Sequence, residues 1–349
     1  MVHLWVRGEQ RPNEERVGLT AEGAASLIAK GFRVTIEDSP VRALPLQPYI
    51  DAGCEVAPFA SWPSAPQDAI IFGLKELPED GTPLTHRHIL FGHAYKGQPD
   101  GPALLARFKA GGGTLYDLES LVDENGRRVA AFGYWAGYAG AAVSAMAWIA
   151  QAKGGICGPV QTWPNAEGVA KRVAADLDTL PGDRPRALII GALGRVGSGA
   201  RDFCKAARIA TTNWDMAETA SGGPFPEVLQ HEMFLNCILA NPGCPVFVSA
   251  NAGDQPRALR VIGDIACDPG SAYNPIPVYD AVTSWAQPVT RVHAVPPLDV
   301  MAIDNLPSLL PAEASVDFAT QLLPHLQGLD QIDGGVWGRA HAVFRRFVG

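Results

Sequence analysis

One segment in the second half of the chain constrains the fold more than any other. It reads Ala187-Leu-Ile-Ile-Gly-Ala-Leu-Gly-Arg-Val-Gly-Ser-Gly-Ala200. The apolar run at its start is typical of a parallel strand buried on both faces, and a helical pattern follows the glycines through Ala207. Glycines let a ligand approach the backbone, and the N–H groups of a first helical turn attract phosphates. The order strand, glycines, helix therefore predicts a dinucleotide-binding site.

An acidic residue follows at the distance that such a site requires. Asp215 ends a second predicted strand, about twenty residues after the glycines. A carboxylate there can bind both ribose hydroxyls of the adenosine and would repel a 2′-phosphate, which favours NAD over NADP. The glycine spacing departs from the usual Gly-x-Gly-x-x-Gly at its first position, where Ala192 stands and Gly191 precedes it. The alternative interpretation is a turn whose glycines have only a structural role.

Length and composition indicate a globular protein of two domains. A chain of 349 residues is long enough to form two cores. It has neither an apolar run of membrane-spanning length nor a signal-peptide pattern, so we expect no membrane partner. The net charge is -8 without a basic tract, which argues against nucleic acid as a partner. The six cysteines are scattered without a Cys-x-x-Cys pair, which predicts free thiols in a reducing cytoplasm and no metal site.

The N-terminal part alternates strands and helices, as a parallel sheet covered by helices does. Two later predicted strands, 69–75 and 89–93, each contain a glycine and end in a polar residue, Lys75 or His93. Ligands bind beyond the carboxyl ends of parallel strands, so we expect both side chains to project into one crevice. The other elements predicted here are strands over 3–7, 32–37, 55–58 and 114–119 and helices over 20–30, 47–52 and 102–110.

The second half is predicted to form a domain of its own. A helix over 134–153 has a narrow surface of glycine and alanine that can pack closely, and we expect it to join the two domains. The mostly helical C-terminus should fold back onto the first domain to bury its apolar faces. The domains are therefore predicted as 1–133 with 306–349, and 134–305. Besides the strand of the glycine segment and that ending at Asp215, strands are predicted over 233–239, 246–249, 260–266 and 291–295.

The charged residues of the first domain suit the oxidation of an amino acid. Lys75 and His93 can both carry protons, and Glu76 and Glu119 can set their pKa values. Facing a nicotinamide, such groups suit the loss of hydride from a C–N bond and hydrolysis of the resulting imine. Taken singly, each feature also has a purely structural explanation. Lys75 could be a surface lysine, His93 a histidine with its hydrogen bonds made within the core, and the arginines part of a charged turn. The arginines suited to bidentate carboxylate binding are Arg16, Arg127 and Arg128.

Sequence blocks along nearly the whole chain carry a family resemblance. Among them are Glu9-x-Arg-Pro-x-Glu14-x-Arg16, Ile71-Phe-Gly-Leu-Lys-Glu-x-Pro78, His93-Ala-Tyr-Lys-Gly-Gln98, Gly126-Arg-Arg-Val-Ala-Ala-Phe-Gly133, Gly191-Ala-Leu-Gly-Arg195 and Leu306-Pro-Ser-Leu-Leu-Pro311. In these blocks the chain resembles the NAD-dependent, L-lysine-forming saccharopine dehydrogenases, which are relatives of alanine dehydrogenase and the transhydrogenase α subunit. The arginine turn and the Leu-Pro-Ser-Leu-Leu-Pro block are more specific than the glycine segment.

The resemblance implies an α/β fold of two Rossmann-like domains with parallel sheets, with the first domain completed by the C-terminal helices. It implies an active site in the interdomain cleft, where saccharopine, NAD and water give L-lysine, 2-oxoglutarate and NADH. In that reaction Lys75 would take the amine proton and His93 would serve imine hydrolysis. The residues at the family's substrate positions are Arg16, Lys75, Gln98, Arg128, Phe132, Ala266, Cys267 and Asp268. Those at its NAD positions are Arg127, Gly194, Arg195, Asp215, Thr219, Leu239, Ile265, Ile303, Asp304, Asn305 and Leu306.

Two positions depart from the family's pattern. Arg11 stands where lysine is expected, and Leu239 stands where an aromatic residue near the adenine is expected. The alternatives are an alanine-type or opine-type amino-acid dehydrogenase and a non-catalytic NAD-binding sensor. The two adjacent arginines argue against a substrate as small as alanine, and the retained Lys75 and His93 argue against a sensor. We expect small molecules (saccharopine, lysine, 2-oxoglutarate) as partners, and a monomer or small homo-oligomer.

Overall fold

The computed structural model describes residues 1–95 and 97–348, which form two compact units. Unit 1 combines Met1–Ala131 with the chain from Pro311 onward, and unit 2 is Phe132–Leu310. Each unit has one six-stranded sheet covered by helices, so the fold class is α/β. The sequence predicted the second boundary before residue 306, whereas the structure has it after Leu310. The reason is that Leu306, Leu309 and Leu310 are buried in the core of unit 2.

The sheet of unit 1 is wholly parallel. Its order is β3-β2-β1-β4-β5-β6, which places β1 and β4 at the centre. The central strands are short apolar runs buried on both faces, as expected where helices cover both sides. The strands are β1 His3–Val6, β2 Arg33–Glu37, β3 Glu55–Ala57, β4 Ile70–Phe72, β5 Arg87–Leu90 and β6 Thr114–Asp117. The helices are α1 Ala21–Ala29, α2 Gln47–Asp51 and α3 Gly101–Gly111, and from the C-terminus α9 Pro311–Leu326 and α10 Gly335–Val348.

The C-terminal helices complete the core of unit 1 with aromatic contacts. The Phe318 ring of α9 lies 5.9 Å from that of Phe91, which follows β5. On α10, Phe344 packs edge-on against Phe108 at 5.7 Å. Trp337 likewise lies 6.0 Å from the ring of Tyr116 in β6. Contacts of this kind add to the apolar area that each ring buries. The segment after Pro311 is therefore an integral part of unit 1.

The sheet of unit 2 is parallel except for one edge strand. Its order is β11-β12-β10-β9-β7-β8, and β11 pairs antiparallel with β12. The reversal of strand order beside β7 creates the kind of crevice in which doubly wound sheets bind ligands. The strands are β7 Arg186–Ile190, β8 Ala210–Trp214, β9 Met233–Asn236, β10 Val261–Asp264, β11 Thr290–His293 and β12 Leu298–Met301. The helices are α4 Gly133–Ala152, α5 Ala166–Asp178, α6 Arg195–Ala206, α7 Met216–Thr219 and α8 Pro226–Leu229.

One predicted strand is wrong. Residues 246–249 form a loop, although the side chains of Phe247 and Val248 are buried. The N–H groups of both residues donate to the same carbonyl oxygen, that of Pro275, so no strand ladder can form. The remaining strand of this sheet is instead β12, which the sequence analysis missed.

The glycine-rich surface of α4 packs against α6, the helix of the glycine segment. A Cβ atom on Gly137 would lie 1.8 Å from the carbonyl oxygen of Val196, and one on Gly199 would lie 1.9 Å from that of Tyr134. Glycine is required at both positions because the two backbones touch. The helix predicted to join the domains is therefore a core helix of unit 2. Within residues 1–95 and 97–348, no helix combines the length and apolar character needed to cross a bilayer.

A buried carboxylate, Glu37, anchors two loop segments of unit 1 and the side chain of Trp5 on β1. It ends β2 and is fully buried. Its Oε1 accepts hydrogen bonds from the Trp62 amide at 2.6 Å and the Trp5 indole at 3.1 Å. Its Oε2 accepts from the amides of Gly8 and Ala60, both at 2.9 Å. Each carboxylate oxygen thus accepts two hydrogen bonds, and these four bonds stabilise the buried negative charge without a cation among these contacts.

We predict that Glu37→Gln lowers the free energy of unfolding by at least about 2 kcal/mol. The amide nitrogen cannot accept the hydrogen bonds that one carboxylate oxygen accepts, and each buried donor left without an acceptor costs about 1–3 kcal/mol. Urea unfolding followed by tryptophan fluorescence measures the change. Glu55→Gln, which breaks a half-exposed ion pair with Arg33 on the same sheet, is the control and should hardly move the midpoint. Equal effects of the two variants would contradict the anchoring role.

Candidate active site

The carboxyl edge of the first sheet gathers the charged residues of unit 1. Strand β4 leads to Lys75, β5 leads to His93, and β6 leads to Glu119. Because β4, β5 and β6 are adjacent and parallel, the three segments emerge side by side at this edge. The structure therefore brings Lys75, His93 and Glu119 together in one unit.

The surroundings of Lys75 favour its neutral form. Burial lowers the pKa of the Lys75 ammonium below its ordinary value, and the Arg16 guanidinium lowers it further. Arg11 acts in the same direction, while the carboxylates of Glu76 and Glu14 oppose it. A lysine whose pKa is lowered gives up its own proton more readily, so that its neutral amine is more available to accept another. The site thus holds a group suited to act as a base.

His93 has the opposite shift. Its Nδ1 lies 3.5 Å from Oε1 of Glu119, and this interaction raises the pKa of the imidazole, while burial and Lys75 act to lower it. The ring stacks on Phe91 with 6.3 Å between centroids. The backbone of His93 has a φ of +46°, a left-handed conformation that residues with a Cβ rarely adopt. Strain of this kind persists where the surrounding structure imposes it, often at functional sites.

Arg16 is paired with a carboxylate of its own chain. Its Nε and Nη2 donate to the two carboxylate oxygens of Glu14 at 2.8 and 2.6 Å, and both residues are buried. Burial acts to raise the pKa of Glu14, but Arg16 outweighs it and holds that pKa below its ordinary value. This bidentate pair fixes the plane of the guanidinium. Glu14 was not among the predicted site residues, although an acidic residue two positions before Arg16 could have indicated the pair.

A second carboxylate that the sequence analysis did not select lies beneath His93. Asp117 ends β6, and its Oδ1 accepts the Glu119 amide at 2.8 Å. Its Oδ2 is buried without a hydrogen-bond partner among the described residues and lies beside Gly92, the residue before His93, where a Cβ would be 3.2 Å away. Burial raises the pKa of Asp117 to about 6. This side chain fixes the start of the turn that carries Glu119.

The other predicted residues of unit 1 lie in loops. Arg127 and Arg128 are exposed on a turn in which Asp123 Oδ1 accepts the amides of Asn125 and Arg127, each at 2.9 Å. Gln98 is half-buried in the approach to α3. Lys96, part of the His93–Gln98 sequence block, lies outside the described residues.

In unit 2, the glycines of the segment 187–200, which was predicted to bind a dinucleotide, have different roles. Gly191 has a φ of +84°, and a Cβ there would lie 2.4 Å from Ile238. A Cβ on Gly197 would lie 2.1 Å from the Gly191 carbonyl oxygen, so the protein itself requires both glycines. Gly194, the N-cap of α6, is different, since the nearest atom to a Cβ there would be 3.5 Å away. The protein does not fill the space beside Gly194, so a phosphate could approach the backbone closely at this residue.

Asp215 is held against the glycine loop. Its Oδ2 accepts the Leu193 amide at 3.0 Å, and its Oδ1 accepts the Met216 amide at 2.9 Å. Glu218 Oε2 in turn accepts the Asp215 amide at 2.7 Å, which forms a capping box at the start of α7. The Thr219 hydroxyl donates to the Asp215 carbonyl at 3.0 Å. The carboxylate that was predicted to bind ribose hydroxyls is therefore oriented by the protein's own backbone amides.

The remaining predicted residues of unit 2 follow the carboxyl ends of neighbouring strands, with two kinds of exposure. Leu239 is 63% exposed, and Asp304 is exposed as well. Ile265, Ile303 and Leu306 are at most 7% exposed and belong to the core, so their side chains are taken up by packing. Any ligand contact of these three would have to be made by the backbone. The other positions are Arg195, exposed on α6, Asn305, half-buried, and Phe132, the N-cap of α4.

The segment 266–268 of unit 2 is positioned by a buried carboxylate. Asp264 Oδ2 accepts the Tyr279 hydroxyl at 2.5 Å, and Oδ1 accepts the Asn236 amide at 2.9 Å and the Cys267 amide at 3.4 Å. Cys267 has a φ of +54°, and its thiol donates to the Ala302 carbonyl at 3.0 Å. Ala266, Cys267 and Asp268 thus lie in unit 2, whereas the other predicted substrate residues except Phe132 lie in unit 1.

We predict that Glu119→Gln lowers the pKa of His93. The neutral amide removes the charge that favours the imidazolium, while burial and the Lys75 charge continue to disfavour it. An NMR titration of the imidazole signal, assigned with His93→Gln, measures the shift toward lower pH. The signal of His325, whose pKa is set by burial and Arg339, serves as the internal control and should not move. An unchanged or higher midpoint for His93 would contradict the pairing.

Comparison with known proteins identifies the class first. The profile of the alanine dehydrogenase/PNT N-terminal domain family matches residues 5–139. A solved L-alanine dehydrogenase superposes over 99% of this chain and 100% of its own with a TM-score of 0.69, at 17% sequence identity. The chain therefore has an α/β fold of two Rossmann-like units, similar to the fold of L-alanine dehydrogenase.

Closer relatives identify the family. A protein of Schizosaccharomyces pombe named saccharopine dehydrogenase (NAD+, L-lysine-forming) is 43% identical, over 99% of this chain and 98% of its own. One of the same name from Candida glabrata is 44% identical, over 99% of this chain and 96% of its own. The chain belongs to the family of NAD-dependent, L-lysine-forming saccharopine dehydrogenases.

Proposed function

We propose that this protein catalyses the reversible, NAD-dependent oxidation of L-saccharopine. Saccharopine, NAD+ and water give L-lysine, 2-oxoglutarate, NADH and a proton. The observation that carries the proposal is the pair Lys75 and His93, two proton carriers with opposite pKa shifts at one sheet edge. Nearly full-length similarity to enzymes named for this reaction supports it. NAD, when bound, accepts the hydride from the glutamate-side carbon of the substrate.

The two proton carriers divide the acid–base work. Lys75, with its lowered pKa, takes the proton of the secondary amine. His93, with its raised pKa, donates and accepts the protons that move when water adds to the imine and the C–N bond breaks. Lys75 therefore loses its proton more readily, and His93 holds its proton more firmly, than the same side chains do in water, which suits a base and an acid.

We propose the arginines as the groups that bind the carboxylates of saccharopine. The substrate carries three carboxylates, and Arg16 and Arg128 suit two of them, with Gln98 as a neutral donor. Arg11, which replaces an expected lysine, lies 3.3 Å from Glu76 and lowers the pKa of Lys75. Because arginine remains charged, it supplies this effect at every pH at which the enzyme works.

We further propose NAD as the cofactor of unit 2. Gly194, where the protein itself leaves room for a Cβ, supports close approach of the pyrophosphate to the start of α6. Asp215, oriented by two backbone amides, supports binding of the adenosine ribose and discrimination against NADP. Leu239 is exposed at the end of β9, where it offers the adenine an apolar but not a stacking surface. Arg127 and Arg195 are exposed cations proposed to meet the cofactor.

We also propose a role in lysine biosynthesis in the cytoplasm. All six cysteines are free, as suits a reducing compartment. Burial raises the pKa of Cys54 and Cys157 to about 11, so these thiols stay protonated and unreactive at neutral pH. The partners would be the small molecules of the reaction, and the assembly a monomer or small homo-oligomer.

The first test of the function is an NADH oxidation assay. We predict turnover with L-lysine plus 2-oxoglutarate and little with ammonia plus pyruvate. Lys75→Met and His93→Gln should each reduce kcat by about 10²-fold or more, as expected for loss of a general acid or base, while NADH still binds. Lys171→Met, at an exposed helical site, is the matched control. Turnover with ammonia plus pyruvate would instead favour an alanine-type dehydrogenase, and full activity of either variant would refute its assigned role.

The second test concerns the choice of cofactor. We predict that Asp215→Asn reduces the ratio of kcat/KM for NADH to that for NADPH by roughly tenfold or more. The neutral amide no longer repels a 2′-phosphate and binds the ribose hydroxyls less well. Steady-state kinetics with both cofactors measure the ratio. Glu218→Gln, which keeps Asp215 in place, should leave the ratio unchanged, and an unchanged ratio in Asp215→Asn would contradict the assignment.

A further inference from the structure

Two charged residues that follow β1 hold the main chain of Lys75. Glu9 Oε1 accepts the amide of Leu74 at 2.6 Å, and Glu9 Oε2 accepts the amide of Lys75 at 3.0 Å. Arg7 Nη2 donates to the carbonyl oxygen of Lys75. Arg7 and Glu9 are only 2% and 6% exposed. Both backbone polar groups of Lys75 are therefore bonded to buried ionic side chains.

The two side chains form a unit shaped to this loop. Arg7 Nη1 lies 3.4 Å from Glu9 Oε2, and the pair is almost completely removed from solvent. A Cβ on Gly73 would lie 2.3 Å from Arg7 Nε, so the guanidinium fills the space that a side chain at Gly73 would need. A buried ion pair gives little net stability because both ions lose their hydration. Its placement on the Lys75 backbone calls for another explanation.

We propose that Glu9 and Arg7 are positioning residues for Lys75, fixing the main chain from which its amine extends toward the substrate. The inference rests on the proposed role of Lys75 as the base. Glu9 reaches Lys75 through its amide and Arg7 through its carbonyl oxygen, so both act on geometry. The charges that bear on the Lys75 amine come from other residues, namely Arg16, Glu76, Arg11, Glu14 and, from the next strand, His93.

The kinetic test compares Glu9→Gln with a buried carboxylate of unit 2. In Glu9→Gln the amide nitrogen faces one of the two loop N–H groups, so the loop shifts. We expect kcat for lysine plus 2-oxoglutarate to fall about 10- to 100-fold, since small misplacement of a catalytic group has effects of that size, while KM for NADH stays within about twofold. Asp299→Asn, which weakens the ion pair between a fully buried carboxylate and the partly exposed Arg291, should lower thermal stability but keep kcat.

A second readout does not depend on catalysis. Reductive methylation of Lys75 by formaldehyde with cyanoborohydride as the reductant, followed by peptide mass spectrometry across pH, reports the pKa of its amine. In the wild type and Asp299→Asn the midpoint should lie below that of ordinary lysines, because burial lowers the pKa. In Glu9→Gln the released loop exposes the amine, so the midpoint should rise. Glu9→Asp keeps the charge that pairs with Arg7 but is one methylene short of the loop, and should give an intermediate result.

The outcomes separate this inference from the proposed function. A wild-type enzyme that fails to oxidise NADH with lysine plus 2-oxoglutarate would refute the function, while the labelling experiment would still decide whether Glu9 positions Lys75. If Glu9→Gln does not fold, Gly73→Ala takes its place, since its methyl group displaces the Arg7 guanidinium. A folded variant with unchanged kcat and an unchanged labelling midpoint would overturn the inference.

Discussion

Hydrogen bonds from main-chain amides to buried carboxylates hold the carboxyl edge of the first sheet. Beyond the last residue of a parallel strand, the backbone has no neighbouring strand to bond with, and its amides need other acceptors. Glu37 supplies them for the loop of Gly8 and the segment of Ala60 and Trp62, Glu9 for the loop of Lys75, and Asp117 for the turn of Glu119. Bonds to an ionised acceptor are stronger than neutral ones. The proton carriers therefore extend from a fixed backbone although they lie on loops.

Much of the fold followed from local patterns. The glycine segment predicted a strand, a turn and a helix correctly, because the conformation of Gly191 and the close contact of Gly197 are local requirements. The same reasoning wrongly predicted a strand over 246–249 and did not predict β12. An apolar run indicates that side chains are buried, but it does not indicate which backbone groups they bring into hydrogen bonds. Phe247 and Val248 are buried from a loop whose amides share one acceptor. Only the three-dimensional contacts distinguish the two cases.

The candidate site was less accessible to sequence reasoning. The adjacency of Lys75 and His93 follows from the order of parallel strands, which the repeated strand, glycine and polar pattern indicated. The contact of Glu9 with Leu74 joins residues 65 positions apart, and no spacing rule contains it. Apolar positions such as Ile303 present a different difficulty. An apolar residue type is equally compatible with a place in the core and with a ligand contact, and the structure places the Ile303 side chain in the core.

Unit 1 is assembled from two separated stretches of chain, with the whole of unit 2 between them. During synthesis, the stretch 132–310 emerges as one piece and can fold as soon as it is complete. The rings of Phe91, Phe108 and Tyr116 contact side chains of α9 and α10, which are made after unit 2. Until these two helices leave the ribosome, the three rings lack those contacts. That nascent state is the one most exposed to aggregation and to chaperone capture.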